Sequence, residues 1–527
     1  MKSNYFLIAL ALTFVSPHSF GLVLAQSALS KAVRKTENIE PALRHPDQEE
    51  AAVAKLTALS KEKGKRPNIV WLLIDDMGWG EPGCYGGGDV VGAATPNMDR
   101  LASSGLRLTS CYSQPTCTPT RSAMLTGRLP ARTGLTRPIL AGDKLTKNPW
   151  ADEVSLAKLL SDSGYRTMLT GKWHIGEIEG MRPFEVGFDE FFGFYPAQKE
   201  LSQALDERRY PDLVLDPERM EAYHKLGMSH ALVRGLKGGK EEIVQEMKSL
   251  DDIAEGDRML KEHTVKKLAE LAKSKTPFFL QHSFMKVHAD NFASKQFKGK
   301  SKSKYPYKDA VVEVDAYIGE IVAALDTNGL LDNTIVFVTS DNGPQMDSWP
   351  DSGHTPWRGS KGSCWEGGVR VPGIVFWKGM IQPRVSDDLF DLMDLFNTSL
   401  SIAGAASKIP TDRYIDGIDQ TSFLLSPDGK SNREKVFFWD DKNFMAMRMF
   451  EYKLHVKVIE TEEHFLDIDM AASKDVIWLF NLFIDPKESY AVGHRQNAWL
   501  ASLGAEIKEH MKTFVKYPPK SVGLDKK

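Results

Sequence analysis

The stretch NIVWLLIDD, residues 68–76, decides the fold. Its apolar run from Ile69 to Ile74 is too short for a useful helix and lacks polar alternation, so it reads as a strand buried on both faces, as parallel sheets require. Two carboxylates close it. Working outward, YRTMLTGKWH (165–174), PFFLQHSFMKVH (277–288) and NTIVFVTSDN (333–342) repeat the pattern of a short apolar run ending in polar residues. Between the last two, Val311, Val314, Ile318, Ile321 and Leu325 recur at steps of three and four and Gly329 stops the run, which predicts a helix. Strands alternating with helices predict an α/β fold, a large doubly wound sheet, mixed but mostly parallel and flanked by helices. After about residue 425, EKVFFWDD, FMAMRMFEYKLHVKV and WLFNLFIDP followed by ASLGAEIKEHMKTF predict a smaller antiparallel sheet with a packed helix.

The chain has 527 residues, more than one core usually holds, so a larger unit over 67–424 and a smaller one over 425–527 are expected. A net charge of -3 provides no basic field, which argues against nucleic acid as a partner, and any anionic ligand must be gripped locally. Residues 1–25 carry one lysine, an apolar run from Phe6 to Val15 and a small-residue site ending at Ala25, which reads as an export signal cut after Ala25. The run is shorter than the ~20 residues a membrane span needs, so no transmembrane anchor is expected. Residues 26–66 read as a surface extension or short helix. Cys84, Cys111, Cys117 and Cys364 show no metal spacing, and they allow one bridge without making stability depend on it.

Open α/β sheets bind ligands outside the carboxyl ends of their strands. Asp75-Asp76, Lys172 with His174, His288, and Asp341-Asn342 each stand where a strand runs out. Two adjacent buried carboxylates are costly without a cation, and Asp75, Asp76, Asp341 and Asn342 supply oxygen ligands that suit Ca²⁺ or Mg²⁺ and not zinc. In SQPTCTPTRSAMLTGR (113–128), Thr118 reads as a helix cap, Pro119 as the first helical residue and Gly127 as the stop. Cys117 then sits at a helix mouth, where free N–H groups and Arg121 one turn on suit a tetrahedral anion. Read from these residues alone, Cys117 is either a thiolate activated by the helix or a small buried apolar residue.

CTPTRSAMLTGR matches the signature C-x-P-x-R followed by L-T-G-R, and the chain resembles the type I, formylglycine-dependent sulfatases, the arylsulfatases among them, in the alkaline phosphatase superfamily. The resemblance runs in family order through NIVWLLIDDMGWG, TPNMDRLASSG, GKWHIG, GFDEFFGF, TSDNGP and KGSCWEGGVRVP, and LFNLFIDPKES resembles the family's closing sheet. It implies an alkaline phosphatase-like fold and hydrolysis of sulfate esters of aryl alcohols or carbohydrates. A maturation enzyme would oxidise Cys117 to formylglycine, whose hydrated aldehyde attacks sulfur and later expels sulfate. Asp75, Asp76, Asp341 and Asn342, with the oxygen at position 117, would hold Ca²⁺, with Mg²⁺ the alternative. Arg121 would hold that oxygen, His174 act as the base, Lys172 and Lys361 bind sulfate, and His288 protonate or bind the leaving-group oxygen. The usual form around the second histidine is P-H-x-P, and here it is VHAD (287–290). His282 matches no motif position. His354, Trp357 and Arg358 are read as lining the leaving-group side or as ordinary loop residues, and specificity is assigned to loops 195–260 and 344–360. Two rival readings are a phosphodiester or phosphonate monoester hydrolase of the same superfamily and a non-catalytic binder of sulfated glycans in which Cys117 stays a thiol.

Overall fold

The computed structural model describes residues 30–140, 143, 145, 147–225, 229–346, 351–459 and 473–522. The export signal expected over 1–25 lies outside the described residues. Eleven strands form the main sheet: β1 (Asn68–Ile74), β2 (Leu106–Tyr112), β3 (Arg166–Lys172), β4 (Glu190–Phe194), β5 (Ala231–Leu236), β6 (Glu242–Glu246), β7 (Phe278–Ser283), β8 (Thr334–Ser340), β9 (Arg370–Phe376), β10 (Arg384–Ser386) and β11 (Phe390–Asp391). Their order is β10-β2-β9-β8-β1-β7-β3-β4-β5-β6, with β11 also pairing β2. The centre, β8-β1-β7-β3-β4, is parallel throughout. Antiparallel pairs begin outside it, at β8 with β9 and at β4 with β5, so the sheet is mixed and mostly parallel at its core, as expected.

Every residue of β1 is buried, and the strand's period of two sends its side chains into different cores. Ile69, Trp71 and Leu73 join one cluster with Ala52 and Leu59 of α1 (Pro46–Lys63) and Phe396 of α6, defined below. Val70, Leu72 and Ile74 join another with α2 (Pro96–Ser104), whose Met98 and Leu101 face inward. The remaining labelled helices are α3 (Cys117–Thr126), α4 (Gly256–Leu271), α5 (Pro306–Thr327), α6 (Asp394–Ile402) and α7 (Asn497–Lys516). Val311, Val314, Ile318, Ile321 and Leu325 of α5 are all buried in the second cluster, and Gly329 follows with φ 68°. Burying one such aliphatic side chain contributes roughly 1.5–3 kcal/mol, so two helical layers on one sheet supply the main driving force.

The carboxy-terminal strands β12 (Lys435–Asp440), β13 (Asn443–Met449), β14 (Tyr452–Ile459) and β15 (Ser473–Asn481) form an antiparallel sheet in that order. Phe437, Trp439, Phe444 and Met447 pack on Leu503, Ile507 and Phe514 of α7, while Val436, Phe438 and Met445 pack on Tyr112, Cys364 and Val369. The small sheet is thus held between its helix and the main sheet. Of the two readings of 26–66, the helix is the one found, and α1 buries part of itself. The chain before it is bonded to the body, with Glu40 donating to the Ile415 carbonyl at 3.0 Å and Leu43 to that of Asn432 at 2.8 Å. All four cysteines are unpaired, so the bridge that the composition allowed is not formed. No helix among the described residues is long and apolar enough to cross a membrane.

Candidate active site

The carboxyl ends of β1, β3, β7 and β8 converge with the start of α3. Helix α3 begins at Cys117 with Thr116 at its cap, two residues earlier than Thr118 and Pro119 suggested. Pro119 is tolerated there because N–H groups in a first helical turn have no intrahelical partner. Thr118 does not cap; its hydroxyl donates to the His174 carbonyl at 2.7 Å and accepts from the Ile139 N–H at 3.3 Å. Gly127 ends the helix as expected, with φ 65° and its N–H on the Ala123 carbonyl at 2.8 Å.

Asp75 and Asp76 follow β1 directly, and Asp341 and Asn342 follow β8. Cys117 Sγ lies 3.6 Å from Asp75 Oδ1 and 3.9 Å from Asp76 Oδ1. The carboxylates of Asp75, Asp76 and Asp341 and the Cys117 sulfur lie within 4.8 Å of one another. Three cations face the three carboxylates. Lys172 Nζ is 2.6 Å from Asp75, Lys361 Nζ is 2.6 Å from Asp76, and Arg121 donates to Asp341 from Nε at 2.9 Å and Nη2 at 2.8 Å. The formal charges cancel, which lets the cluster be buried as completely as it is.

The histidines arrive by different routes. His174 stands two residues past the end of β3 with φ 55°, its N–H on the Tyr195 carbonyl at 2.8 Å. Asp76 has φ 61° and donates its N–H to Asp341 Oδ1 at 3.1 Å. Left-handed backbone at two non-glycine residues of one cluster costs of order 1–3 kcal/mol each and is held only by surrounding bonds, a pattern concentrated at functional sites. After β7 the chain continues beside β1: Asp75 donates to the Lys286 carbonyl at 3.2 Å, Val287 to the Asp75 carbonyl at 2.8 Å, and His288 Nε2 reaches within 3.7 Å of Asp76 Oδ2. Lys361 is set by its own N–H on the Pro344 carbonyl at 3.0 Å and by Gly362 on that of Pro115 at 2.8 Å.

Burial governs the protonation states. It pushes the Cys117 thiol well above its ordinary range, against the opposing pull of Lys172 and Lys361. Burial thus disfavours the thiolate that a helix N-terminus would otherwise promote. Burial, with Lys172, Arg121 and Lys361, pushes His174 well below 6.5; burial, with Lys361 and Lys172, does the same to His288. Burial would lower Lys361, but Asp76, Cys117 and Asp75 outweigh it and raise it above the usual lysine value.

A divalent cation fits this place. Asn342 donates Nδ2 to Asp76 Oδ1 at 2.7 Å, leaving its own Oδ1 buried with no hydrogen-bond partner, and the carboxylates complete a hard-oxygen donor set. Nine of the ten site residues expected from the sequence meet through direct contacts, Asn342 among them; His174 stands at the edge, its ring held by the Ile139 carbonyl at 3.2 Å and its own carbonyl accepting from Thr118. His282 lies inside β7 with its ring on Thr264 Oγ1 at 2.8 Å. Trp357 packs edge-on to Trp79 at 4.9 Å, and Arg358 lies 3.8 Å over the Trp365 ring and donates to the Glu488 carbonyl at 2.9 Å, so both are engaged in packing. Sequence reasoning missed Ser340, whose hydroxyl accepts from the Met77 N–H at 2.8 Å and donates to the Asn342 carbonyl at 3.0 Å. Its place directly before Asp341-Asn342 was the available signal.

The pattern defining the sulfatase family matches residues 67–405. N-acetylgalactosamine-6-sulfatase of Canis lupus familiaris is 32% identical over 489 residues, covering 86% of this chain and 87% of that protein. Human arylsulfatase A is 33% identical, covering 74% of each. Among solved structures, the PsFucS1 sulfatase from Pseudoalteromonas sp. superposes with a TM-score of 0.90 at 48% identity, over 93% of this chain and 99% of that one. The chain belongs to the sulfatase family, within the alkaline phosphatase-like superfamily. It is an enzyme, a sulfuric ester hydrolase that splits sulfate esters into an alcohol and inorganic sulfate.

Proposed function

We propose that this sulfatase acts on a sulfated carbohydrate and works through a formylglycine made from Cys117 by a maturation enzyme. The observation that carries this is the placement of Cys117 within 3.6 and 3.9 Å of two carboxylates inside a ring of three cations, with burial raising its thiol pKa. Formylglycine there supplies a hydrated aldehyde, one hydroxyl to attack sulfur and a second to let sulfate leave without water reaching the sulfur. Asp75, Asp76, Asp341 and Asn342 would hold a divalent cation, calcium in our reading, which polarises that attacking oxygen. Arg121 orients the oxygen at position 117. Lys172 and Lys361, now bonded to Asp75 and Asp76, would take up sulfate oxygens; a dication with a monoanionic sulfate ester adds one net positive charge, which favours ionisation of the attacking hydroxyl at position 117. His174 is neutral and can accept the proton given up in the second half of the reaction. His288 holds its Nδ1–H on the Ala289 carbonyl, so its Nε2 would serve the leaving-group oxygen only by carrying a proton to it. The names of the mammalian relatives favour a sugar leaving group. The apolar amino-terminal run from Phe6 to Val15 supports export.

The test is mass spectrometry of the peptide containing residue 117 from a host that makes formylglycine. It should show CHO in place of CH₂SH, and exhaustive chelation should abolish sulfate release from 4-nitrophenyl sulfate until calcium is restored. A retained thiol in otherwise folded protein would favour a glycan binder, and faster turnover of an aryl phosphodiester than of the aryl sulfate would favour the phosphoryl reading.

A pH profile follows from His174. A histidine whose pKa is depressed on folding stays neutral as pH falls through 6.5 and charges only below it. Because this base acts after the alcohol has left, the acid limb of kcat for 4-nitrophenyl sulfate, measured where sulfate release limits turnover, should lie below 6.5, and a limb at or above that value would remove His174 from the role of base.

A further inference from the structure

Where the usual family form has proline two residues after the second histidine, this chain has Asp290. Its carboxylate accepts from Ser202 Oγ at 2.9 Å and Tyr210 Oη at 2.8 Å and pairs with Arg209 Nη1 at 3.1 Å. Gln198 Nε2 donates to the Asp290 carbonyl and, at 3.4 Å, to that of His288. Four side chains between 198 and 210 thus converge on the backbone and carboxylate next to His288. Arg209 adds its guanidinium 5.3 Å over the Phe292 ring, so the segment is gripped on both sides of Asp290.

Among the described residues, each side of this junction carries a buried acceptor with no donor: Glu200 Oε2 on the segment and Asn291 Oδ1 on the loop. An unpaired buried acceptor destabilises the fold, a penalty that disappears when a ligand supplies the donor. Hydroxyl groups are such donors, whereas a further sulfate would meet the Glu200 carboxylate. We propose that the segment from Gln198 to Tyr210, locked to the His288 loop through Asp290, seats a hydroxyl-rich sugar leaving group, with Glu200 and Asn291 accepting from its hydroxyls. Asp290 is a positioning residue: it fixes the seat and does not touch the sulfate. This rests on the reading of the Cys117 cluster as the place where the sulfate ester is cleaved.

Two variants approach the junction from opposite sides. Asp290→Asn keeps the shape of the side chain and removes its charge, and Arg209→Gln removes the same ion pair from a partner that is 38% exposed and so tolerant of change. Sulfate release is measured on 4-nitrophenyl sulfate and on a panel of 6-O-sulfated N-acetylgalactosamine, 6-O-sulfated galactose and a sulfated galactan tetrasaccharide. The ratio of kcat/KM on the best sugar to kcat/KM on the aryl sulfate should fall at least about tenfold in both variants. A ratio unchanged within about twofold, including equal losses on both substrates, overturns the proposal. So does a wild type that cleaves the aryl sulfate and none of the sugars, an outcome that leaves the Cys117 reading intact. Release from neither class would sink that reading instead.

Discussion

Cys117→Ala lowers kcat/KM for 4-nitrophenyl sulfate by at least about 10⁴-fold, the scale on which losing a nucleophile removes hydrolysis while binding persists. The side chain is small and the change leaves the Asp75–Lys172, Asp76–Lys361 and Asp341–Arg121 pairs intact, so the variant should unfold at nearly the wild-type temperature. Cys117→Ser is the sharper control. It returns one hydroxyl beside Asp75 and Asp76 but not the second that the proposed chemistry needs for release. Sustained turnover by the serine variant at a rate near wild type would overturn the formylglycine route, because an ordinary alcohol would then suffice.

Glu366→Ala should cost about 3–5 kcal/mol of stability, the range for removing one member of a fully buried charge network. Glu366 takes Lys453 Nζ at 2.9 Å, the Tyr112 hydroxyl at 2.8 Å and Arg370 Nη1 at 3.3 Å, with Arg448 Nη1 at 4.0 Å. Against the cost of burial, Lys453, Arg370 and Arg448 hold its carboxyl well below the usual range. Removing it leaves three buried cations facing one another where the main sheet meets the small one. Denaturant unfolding measures the loss, and a change under about 1 kcal/mol would mean that Glu488, which pairs with Lys453 at 3.2 Å, carries the network alone. A carboxylate depressed on folding contributes stability above its unfolded pKa of 4.5 and loses it on acidification, so the gap between wild type and variant should narrow as pH falls below 4.5.

What the chain reveals unaided follows the physics of each signal. The central strands were legible because a strand buried on both faces must be apolar along its length, and Asp75, Asp76, Asp341 and Asn342 were legible because polar residues at the carboxyl ends of such strands have few other reasons to be there. Cys117, Arg121 and Lys172 were fixed in role only through resemblance, since a lone cysteine before a helix has a bland reading as well. The start of α3 was misplaced because Thr118 and Pro119 are chemically apt for a cap, and the structure spends Thr118 on the His174 carbonyl instead. The role of Glu366 left no mark in the sequence because its partner Lys453 lies 87 residues away, and no local periodicity records a pairing over that distance. Asp290 was visible as a departure from the family form, yet its meaning lies in Ser202, Arg209 and Tyr210.

Every one of the ten residues of α3, from Cys117 to Thr126, is buried. A small tetrahedral anion needs to reach only the first of them, whereas any macromolecule acting on residue 117 would have to open the packing around its neighbours. On the proposed formylglycine route, conversion of residue 117 would therefore have to precede the closing of this packing, while the polypeptide is still open.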